Sequence, residues 1–408
     1  MANRNLSEAK QAKNDEFYTQ YADIQKEINA YMEFDPDVFR GKTILLPCDD
    51  PEWSNFTKFF AQNFENFGLK KLISTSFAQE SKNYKSDWQP TLFETENPMF
   101  NADKTAVCGK IFTLTHDTNK NGKIDIEDLE WKYLEGTGDF RSAEVTALRD
   151  EADVIITNPP FSLFREFVAW IMEADKKFLI IGNMNSTTVK DIFPLIKENI
   201  MWYGPSITSG DREFGVPDEY PLKAATYRID EQPLDKKGRK KAYTKYIRVK
   251  GVRWFTNLDH GRRHEPLHLM SMADNLKFSR HEEIKGKAEY QHYDNYDAID
   301  VPYTDAIPSD YDDAMGVPIS FLDKYCPEQY QILGLTQFGC HDLLPDTRKY
   351  NDYFEMRRND DTPTGSSGGK TNENAVLEGK GKKKTYYINS EGRIVHSEYK
   401  RVLIRKIQ

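Results

Sequence analysis

The stretch that decides the fold is ADVIITNPPFSLFREFVAWIMEADKKFLIIGN, residues 152–183. It begins with an apolar run that two prolines end, continues with an amphipathic segment for which Ser162 is the expected cap, and closes on a second apolar run. This order predicts a buried strand, a helix and another buried strand. Continuous apolar strands that alternate with helices are typical of a mostly parallel α/β sheet with helices on both faces.

The same alternation extends toward the N-terminus, beyond a polar arm at residues 1–14. Hydrophobic periodicity predicts a helix over 15–34, a strand over Thr43–Pro47, a helical segment over 55–67 and a strand over 69–77. A strand over 110–117 is expected to pair with one over 123–131, in a hairpin that turns at Asn121-Gly122.

The composition shifts near residue 205, where charged and aromatic residues increase and clean periodicity fades. We therefore expect one α/β domain over 15–205 and a mixed α+β region over 206–408. Glycine, serine and lysine make up half of residues 361–384, which predicts a mobile loop. The final apolar run, 401–407, is expected to form a strand that returns to the core.

The four residues Asn158-Pro159-Pro160-Phe161 follow directly on an apolar strand, where ligands of open α/β sheets bind. The Asn158 side-chain oxygen and the Pro159 carbonyl are two acceptors, matched to the two hydrogens of an exocyclic amine. Holding those hydrogens orients the nitrogen lone pair toward a methyl donor, and Phe161 offers a face for a base to stack on. The alternative is a plain strand-ending turn, since asparagine and proline are common there.

Composition limits the protein class. The chain has 408 residues and a formal net charge of -9, and 38% of its residues are hydrophobic, enough for a sizeable core. None of the four cysteines belongs to a CxxC pair, so neither a zinc site nor a disulfide framework is predicted. No apolar run reaches the roughly 20 residues that span a bilayer, and no signal-peptide core is present. A cytoplasmic protein without a bound metal is expected.

The run from Gly138 to Asn183 resembles the adenine-N6 DNA methyltransferases of the EcoRI type. Segments 15–21, 48–56, 250–260 and 316–334 also resemble this family, so the similarity covers roughly residues 15–340. The resemblance implies a class I methyltransferase sheet that binds S-adenosylmethionine and a C-terminal target-recognition region. It further implies that the substrate is double-stranded DNA, from which an adenine is extruded for methylation.

The resemblance assigns site residues by position. It makes Asn158, Pro159, Pro160 and Phe161 catalytic, and it matches the cofactor motifs to Phe17, Tyr18, Thr19, Cys48, Asp49, Asp50, Pro51, Asp139, Phe140 and Asn158. Two features depart from the family pattern. The loop after the first strand contains no glycine, and the second strand ends ISTSF without a clear ribose-binding acid.

Basic residues are concentrated over 236–253 and 260–264, and Tyr243, Tyr246, Trp254 and Phe255 are interleaved with them. This pattern favours phosphate contacts, and it predicts a DNA-binding set of Lys240, Lys241, Arg248, Lys250, Arg253, Arg262 and Arg263. The alternative is a solvated strand face with its aromatic side chains in the core. For His260, His264 and His268, a surface or DNA-facing position is favoured over a metal site.

Several alternatives stay open at this point. Residues 117–128 resemble a calcium loop, but Asp128 replaces the terminal glutamate, and a surface hairpin is favoured. RNA or a protein glutamine is an alternative substrate, and a catalytically inactive DNA-binding module is an alternative class. A monomer is expected, and a cognate restriction endonuclease remains open.

Overall fold

The computed structural model describes residues 17–49, 54–78, 99–208, 210–216, 227–232, 244–336, 352–367 and 374–407. The chain divides into two compact units. The first unit comprises Met1–Thr187 and Met201–Gly261, and the second comprises Thr188–Ile200 and Arg262–Gln408. Within the described segments, no helix is both long enough and apolar enough to cross a membrane.

Eleven strands belong to the described part of the first unit: β1 (Thr43–Leu46), β2 (Lys71–Ser76), β3 (Lys110–Leu114), β4 (Glu130–Tyr133), β5 (Val154–Thr157), β6 (Lys177–Asn183), β7 (Trp202–Tyr203), β8 (Asp211–Val216), β9 (Tyr227–Ile229), β10 (Lys245–Lys250) and β11 (Val252–Thr256). The large sheet has the order β4-β3-β2-β1-β5-β6-β11-β7. Its four central strands are parallel, and antiparallel strands flank them on both sides. A small antiparallel sheet has the order β8-β10-β9.

Helices of the first unit are α1 (Tyr21–Phe34), α2 (Asn55–Gln62), α3 (Ala102–Val107), α4 (Ala143–Glu151) and α5 (Phe164–Glu173). Helix α1 buries Ile24, Ile28 and Tyr31, which recur at helical spacing. Every residue of β1 and β5 is buried, as the continuous apolar runs predict. Each fully buried apolar side chain contributes about 1.5–3 kcal/mol, so these central strands anchor the edge of the sheet where the site lies.

The second unit contains α6 (Phe193–Lys197), α7 (Met272–Phe278), β12 (Ile299–Asp300), β13 (Met315–Pro318), β14 (Tyr330–Leu335), β15 (Phe354–Arg357), β16 (Pro363–Ser367), β17 (Val376–Glu378), β18 (Thr385–Ile388), β19 (Ile394–Ser397) and β20 (Arg401–Lys406). One sheet has the order β12-β13-β20-β14, and the other has the order β16-β15-β18-β19-β17. The final strand, β20, therefore pairs with β13 and β14 of its own unit.

Three local predictions need correction. The N-terminal helix begins only at Tyr21, because residues 17–19 are extended and Tyr18 bridges to Gly215. Strand β4 begins at Glu130 and not near residue 123, since the Asp128 carboxylate accepts backbone hydrogen bonds from the preceding loop. Ser162 does not cap the helix after NPPF, because a 3-10 turn intervenes and α5 starts one residue after Leu163.

Two longer stretches also differ from expectation. Strand β11 pairs with β6, so the first unit extends to Gly261 and beyond the composition shift near residue 205. The segment 361–384, predicted as a mobile loop, contains strands β16 and β17 in its described parts. Sheet pairing with distant partners supplies the order that local composition does not indicate.

Candidate active site

The site lies next to β1, where the strand order of the sheet reverses: β2 and β3 follow on one side of β1, and β5 and β6 follow on the other. Strand β1 pairs in parallel with β2 on one side and with β5 on the other. The turns after β1 and β5 consequently lie next to each other, at the edge where ligands of open α/β sheets bind. The first turn carries Cys48 and Asp49, and the second carries Asn158 to Phe161.

The Asp49 carboxylate joins these two turns. Its Oδ1 accepts a hydrogen bond from the Ser54 hydroxyl at 2.6 Å, and its Oδ2 lies 2.5 Å from the Thr157 hydroxyl. The same Thr157 hydroxyl lies 2.6 Å from the Pro47 carbonyl, so its one hydrogen is shared between two acceptors. Asp49 is also buried, which strengthens these bonds. The residue before Asn158 is thereby fixed against the β1 turn.

Cys48 explains how the β1 turn forms without glycine. Its φ is 70°, in the left-handed region that glycine usually occupies. A side chain in that conformation costs about 1 kcal/mol or more, and surrounding contacts must hold it. The following backbone is held, because the Asp49 amide donates to the Thr75 carbonyl at 2.9 Å. The sharp turn of the usual glycine-rich loop is therefore present at a cysteine.

Asn158 has a fixed orientation and an unpartnered acceptor. Its Nδ2 donates to the Phe17 carbonyl at 2.6 Å, which determines which amide atom is the oxygen. Asn158 Oδ1 is buried and has no hydrogen-bond partner among the described residues. Such an acceptor costs about 1–3 kcal/mol when nothing donates to it. The arrangement is suited to a ligand that donates a hydrogen bond at this point.

The N-terminal segment that holds Asn158 is itself anchored. Tyr18 and Gly215 exchange two backbone hydrogen bonds of 2.9 Å, which join the segment to β8. Asn55 Nδ2 donates to the Thr19 carbonyl at 2.7 Å, which joins it to α2. Residues 17–19 thus form a fixed wall beside the turn of Asn158 to Phe161.

The rest of the NPPF turn is rigid. The Pro160 carbonyl accepts from the Leu163 amide at 2.9 Å and starts the 3-10 turn that leads into α5. The half-buried Phe161 ring contacts Phe17 edge-on, with 5.6 Å between centroids, and Phe214 with 6.3 Å between centroids. Two aromatic neighbours therefore hold this ring in place.

Most of these residues meet in one pocket. Among the described residues its lining comprises Phe17, Tyr18, Thr19, Cys48, Asp49, Ser54, Phe56, Ser76, Phe77, Asn158 and Pro160. Sequence reasoning missed Ser54, Phe56, Ser76 and Phe77. Ser54 had a usable signal, since serine before an apolar-periodic segment is a helix N-cap pattern, and its hydroxyl does cap α2. The predicted Asp50 and Pro51 lie outside the described residues.

Asp139 and Phe140, which the resemblance matches to a cofactor motif, are not among the described residues that line this pocket. Phe140 is buried and contacts Phe167 and Trp170, at centroid distances of 5.0 and 5.5 Å. Asp139 accepts two hydrogen bonds from the Arg141 guanidinium, at 2.6 and 2.9 Å, and one from the Arg141 amide at 2.9 Å, and these bonds lower the pKa of the carboxyl. The segment still approaches the pocket, because the Ala78 amide donates to the Thr137 carbonyl at 2.8 Å, directly after β2.

The predicted DNA-binding residues are divided by exposure. Arg248 and Lys250 are exposed on β10, and Arg262 is half-buried. Lys240 and Lys241 lie outside the described residues. Of these residues, the structure therefore places only Arg248 and Lys250 on an exposed surface, at alternate positions of one strand.

Two predicted DNA contacts are buried. Arg253 is buried, and its guanidinium donates to the Val252 carbonyl at 2.8 Å and to the Thr208 carbonyl at 2.9 Å. These hydrogen bonds hold the guanidinium within the fold. Arg263 is also buried and donates to Asn199 Oδ1. A phosphate could reach neither group without displacing these contacts, which corrects the assignment of both residues.

Two aromatic residues and one histidine of this region are buried, as in the alternative of a solvated strand face with its aromatic side chains in the core. Trp254 and Phe255 are fully buried in the central sheet. His260 is buried as well, with Nε2 3.0 Å from the Tyr203 carbonyl and its ring edge-on to Tyr31. The expected surface or DNA-facing position is therefore wrong for His260, while His264 and His268 are exposed.

In the loop resembling a calcium site, the Asp128 carboxylate is occupied by protein donors. Its Oδ1 accepts from the Thr118 and Asn119 amides, and its Oδ2 accepts from the Asp125 amide, at 2.9 to 3.1 Å. These bonds lower the pKa of Asp128 against the effect of burial. Within the described segments, no group of three or more histidine, cysteine or acidic side chains is placed to hold a metal.

The mixed α/β sheet and the NPPF turn at the strand reversal are features of amino-group methyltransferases. The family model described as "Adenine-specific methyltransferase EcoRI" matches residues 5–407. The chain therefore belongs to this family of adenine-specific methyltransferases and is an enzyme.

Curated relatives match over most of their length. Type II methyltransferase M.EcoRI of Escherichia coli is 39% identical over 331 residues, covering 81% of this chain and 89% of that protein. Type II methyltransferase M.MpnI of Mycoplasma pneumoniae is 33% identical over 87% of this chain and 92% of that protein. Type II methyltransferase M.MgeORF184P of Mycoplasma genitalium is 31% identical over 87% and 93%. No solved structure matches the chain.

Proposed function

We propose that the chain transfers a methyl group from S-adenosylmethionine to the exocyclic N6 of an adenine that is extruded from duplex DNA. The observation that carries the proposal is Asn158, whose Nδ2 is held by the Phe17 carbonyl and whose buried Oδ1 has no partner among the described residues. An amine supplies the donor that this oxygen lacks. The names of the Type II relatives support DNA as the substrate.

The pocket chemistry fits the proposed cofactor. S-adenosylmethionine supplies an electrophilic methyl group on a positively charged sulfur. Among the described residues, the lining contains one carboxylate, Asp49, and no lysine or arginine. The lining also contains four aromatic residues, Phe17, Tyr18, Phe56 and Phe77, and aromatic faces attract cations. Asp49 and these aromatic residues are proposed to hold the cofactor. Asp139, which is not part of the described lining, is proposed to contact it from a neighbouring segment.

In the proposed reaction the protein orients the amine. Asn158 Oδ1 and the Pro159 carbonyl accept the two N6 hydrogens, which directs the nitrogen lone pair toward the cofactor pocket. The Pro160 carbonyl is already used within the 3-10 turn, which leaves this role to Pro159. Phe161 supports the extruded ring by stacking, at about 1–3 kcal/mol for such contacts. The C–N bond forms as the methyl–sulfur bond breaks, the sulfur keeps the electron pair of that bond, and the nitrogen then loses one proton to solvent water.

We assign the first unit to the class I methyltransferase fold. Two features support this assignment: the order of the central parallel strands, and the antiparallel strand β11, which lies between β6 and β7. The catalytic domain is proposed to comprise residues 15–205 and β11, and target recognition is proposed for the remainder of the 206–408 region. The proposed enzyme acts as a cytoplasmic monomer, and a cognate endonuclease is compatible with its Type II relatives.

Product analysis tests this function. The purified protein is incubated with methyl-labelled S-adenosylmethionine and genomic DNA, and the digested nucleosides are separated by mass spectrometry. Labelled N6-methyladenine is expected from wild type. RNA in place of DNA and the variant Asn158→Ala, for which a strongly lowered rate is expected, are the parallel samples. Label found only in cytosine, RNA or protein contradicts the proposal.

A further inference from the structure

A group of basic side chains lies together on the five-stranded sheet of the second unit. Arg357 ends β15 and pairs in register with Thr385 of β18, and the Arg358 amide donates to the Lys384 carbonyl at 2.9 Å. Arg357, Arg358, Lys382, Lys383 and Lys384 consequently line one open depression. We name these five residues the basic surface.

The charge of the basic surface is largely uncompensated. Arg357, Arg358 and Lys384 are exposed, and none of them forms an ion pair within the part of the chain that the structure describes. Lys382 pairs with Glu283 at 2.6 Å, and both groups are exposed. The lining of the depression, as far as it is described, contains no acidic side chain.

Two neighbours define the edges of this surface. Lys383 lies 4.3 Å from the centroid of the exposed Tyr399 ring, and burial lowers the pKa of its ammonium. Asp360 lies near Arg357, but its carboxylate accepts from the Thr362 amide and hydroxyl at 3.2 and 2.7 Å. These neutral donors keep Asp360 ionised, so Asp360 and Glu283 offset two of the five cations, and the depression keeps a net positive charge.

Three other arginines of the second unit have acidic partners. Arg401 pairs with the buried Asp300 at 2.9 Å, Arg280 pairs with Asp305 at 2.7 Å, and Arg393 pairs with Asp294. In a chain of net charge -9, cations that remain exposed and unpaired side by side need a separate explanation. Their number exceeds what one small anion requires, whereas a nucleic-acid backbone presents a row of charges.

We propose that the basic surface contacts the phosphodiester backbone of the DNA substrate. This inference rests on the proposed function, since it takes DNA as the substrate, and it identifies where the second unit meets that DNA. Exposed lysine and arginine contacts to phosphate supply affinity and position the protein without reading sequence. The surface therefore binds all duplex sequences alike.

A salt series on paired variants tests the proposal. The full-length double variant Arg358→Gln/Lys384→Gln removes two exposed, unpaired charges and leaves the backbone bond between these residues intact. The matched control, Lys324→Gln/Arg405→Gln, removes two exposed charges elsewhere in the same unit. Binding of two unrelated fluorescent duplexes is measured by anisotropy at several salt concentrations.

For Arg358→Gln/Lys384→Gln, we expect the slope of log affinity against log salt to fall by about two units, equally for both duplexes. The control and the charge-conserving variant Arg358→Lys/Lys384→Arg should keep the wild-type slope. Cofactor binding, measured by calorimetry, should be unchanged because the cofactor pocket belongs to the first unit.

The outcomes separate the two proposals. An unchanged slope in Arg358→Gln/Lys384→Gln, while wild type binds and methylates DNA, overturns the basic surface alone. An equal loss in the control, or a loss in the charge-conserving variant, also overturns it, because net charge or local folding then explains the effect. Wild type that neither binds nor methylates duplex DNA overturns the proposed function and this inference with it.

Discussion

Glu27 is a buried carboxyl whose ionisation should control the stability of the first unit. It lies on α1 with no exposed surface, and accepts hydrogen bonds from the Tyr31 hydroxyl and the Ser206 amide, both at 2.9 Å. Burial raises the pKa of Glu27 from 4.5 to about 7, although these two donors oppose the rise. At 1.36 kcal/mol per tenfold change in proton affinity, ionising the folded chain costs about 3 kcal/mol.

The direction of the pH effect follows from proton binding. Between pH 4.5 and about 7 the folded chain holds a proton on Glu27 that the unfolded chain has released. This stabilisation is complete below the unfolded pKa and is lost as the pH rises through the folded pKa. Glu27→Gln stays neutral throughout, so its unfolding free energy should lack this component.

Urea unfolding, followed by tryptophan fluorescence, measures the difference. From roughly pH 5 to pH 8, wild type should lose about 2–3 kcal/mol relative to Glu27→Gln. Glu33→Gln is the matched control, because it changes the same charge on the exposed face of the same helix, and it should follow wild type. A constant difference between Glu27→Gln and wild type across this range would refute the reasoning.

Three further predictions concern the active site. Asn158→Ala should lower the methylation rate by about a hundredfold or more while calorimetry shows cofactor binding largely kept; full activity contradicts the assigned role. Phe161→Ala should weaken binding of DNA with an extruded or mismatched adenine by about 1–3 kcal/mol, and fluorescence titration against fully paired DNA checks this. Cys48→Gly should change the unfolding free energy by less than about 1 kcal/mol, because relief of the left-handed φ offsets the added freedom of the unfolded chain, whereas Cys48→Val should be clearly destabilised. Equal stability of the glycine and valine variants would exclude strain at this turn.

The position of Asn158 in the fold could be predicted because apolar periodicity identifies which strands are buried and where each one ends. A buried strand that ends in NPPF places Asn158 at the ligand-binding edge of the sheet, where the structure has it. The bond between Thr157 and Asp49 could not be predicted, since it joins residues 108 positions apart. Local patterns identify which residues end each strand, but the contacts between strand ends depend on packing.

Charge patterns were a weaker guide than strand patterns. The basic segment ending at Arg263 contains two arginines whose guanidinium groups are buried and bonded within the fold. The lysines at 382–384, by contrast, fell in a stretch whose composition predicts a mobile loop. Sequence counts charges but does not show whether β-sheet pairing exposes them, and only exposed charges reach a phosphate at low desolvation cost.

The missing glycine loop raised the alternative of an inactive binding module, and the backbone weakens that argument. Glycine has two physical uses in such a loop, a left-handed turn and a close backbone approach. Cys48 supplies the turn with φ 70°. The left-handed turn is therefore present without glycine, so the missing glycine is not by itself a reason to expect loss of cofactor binding.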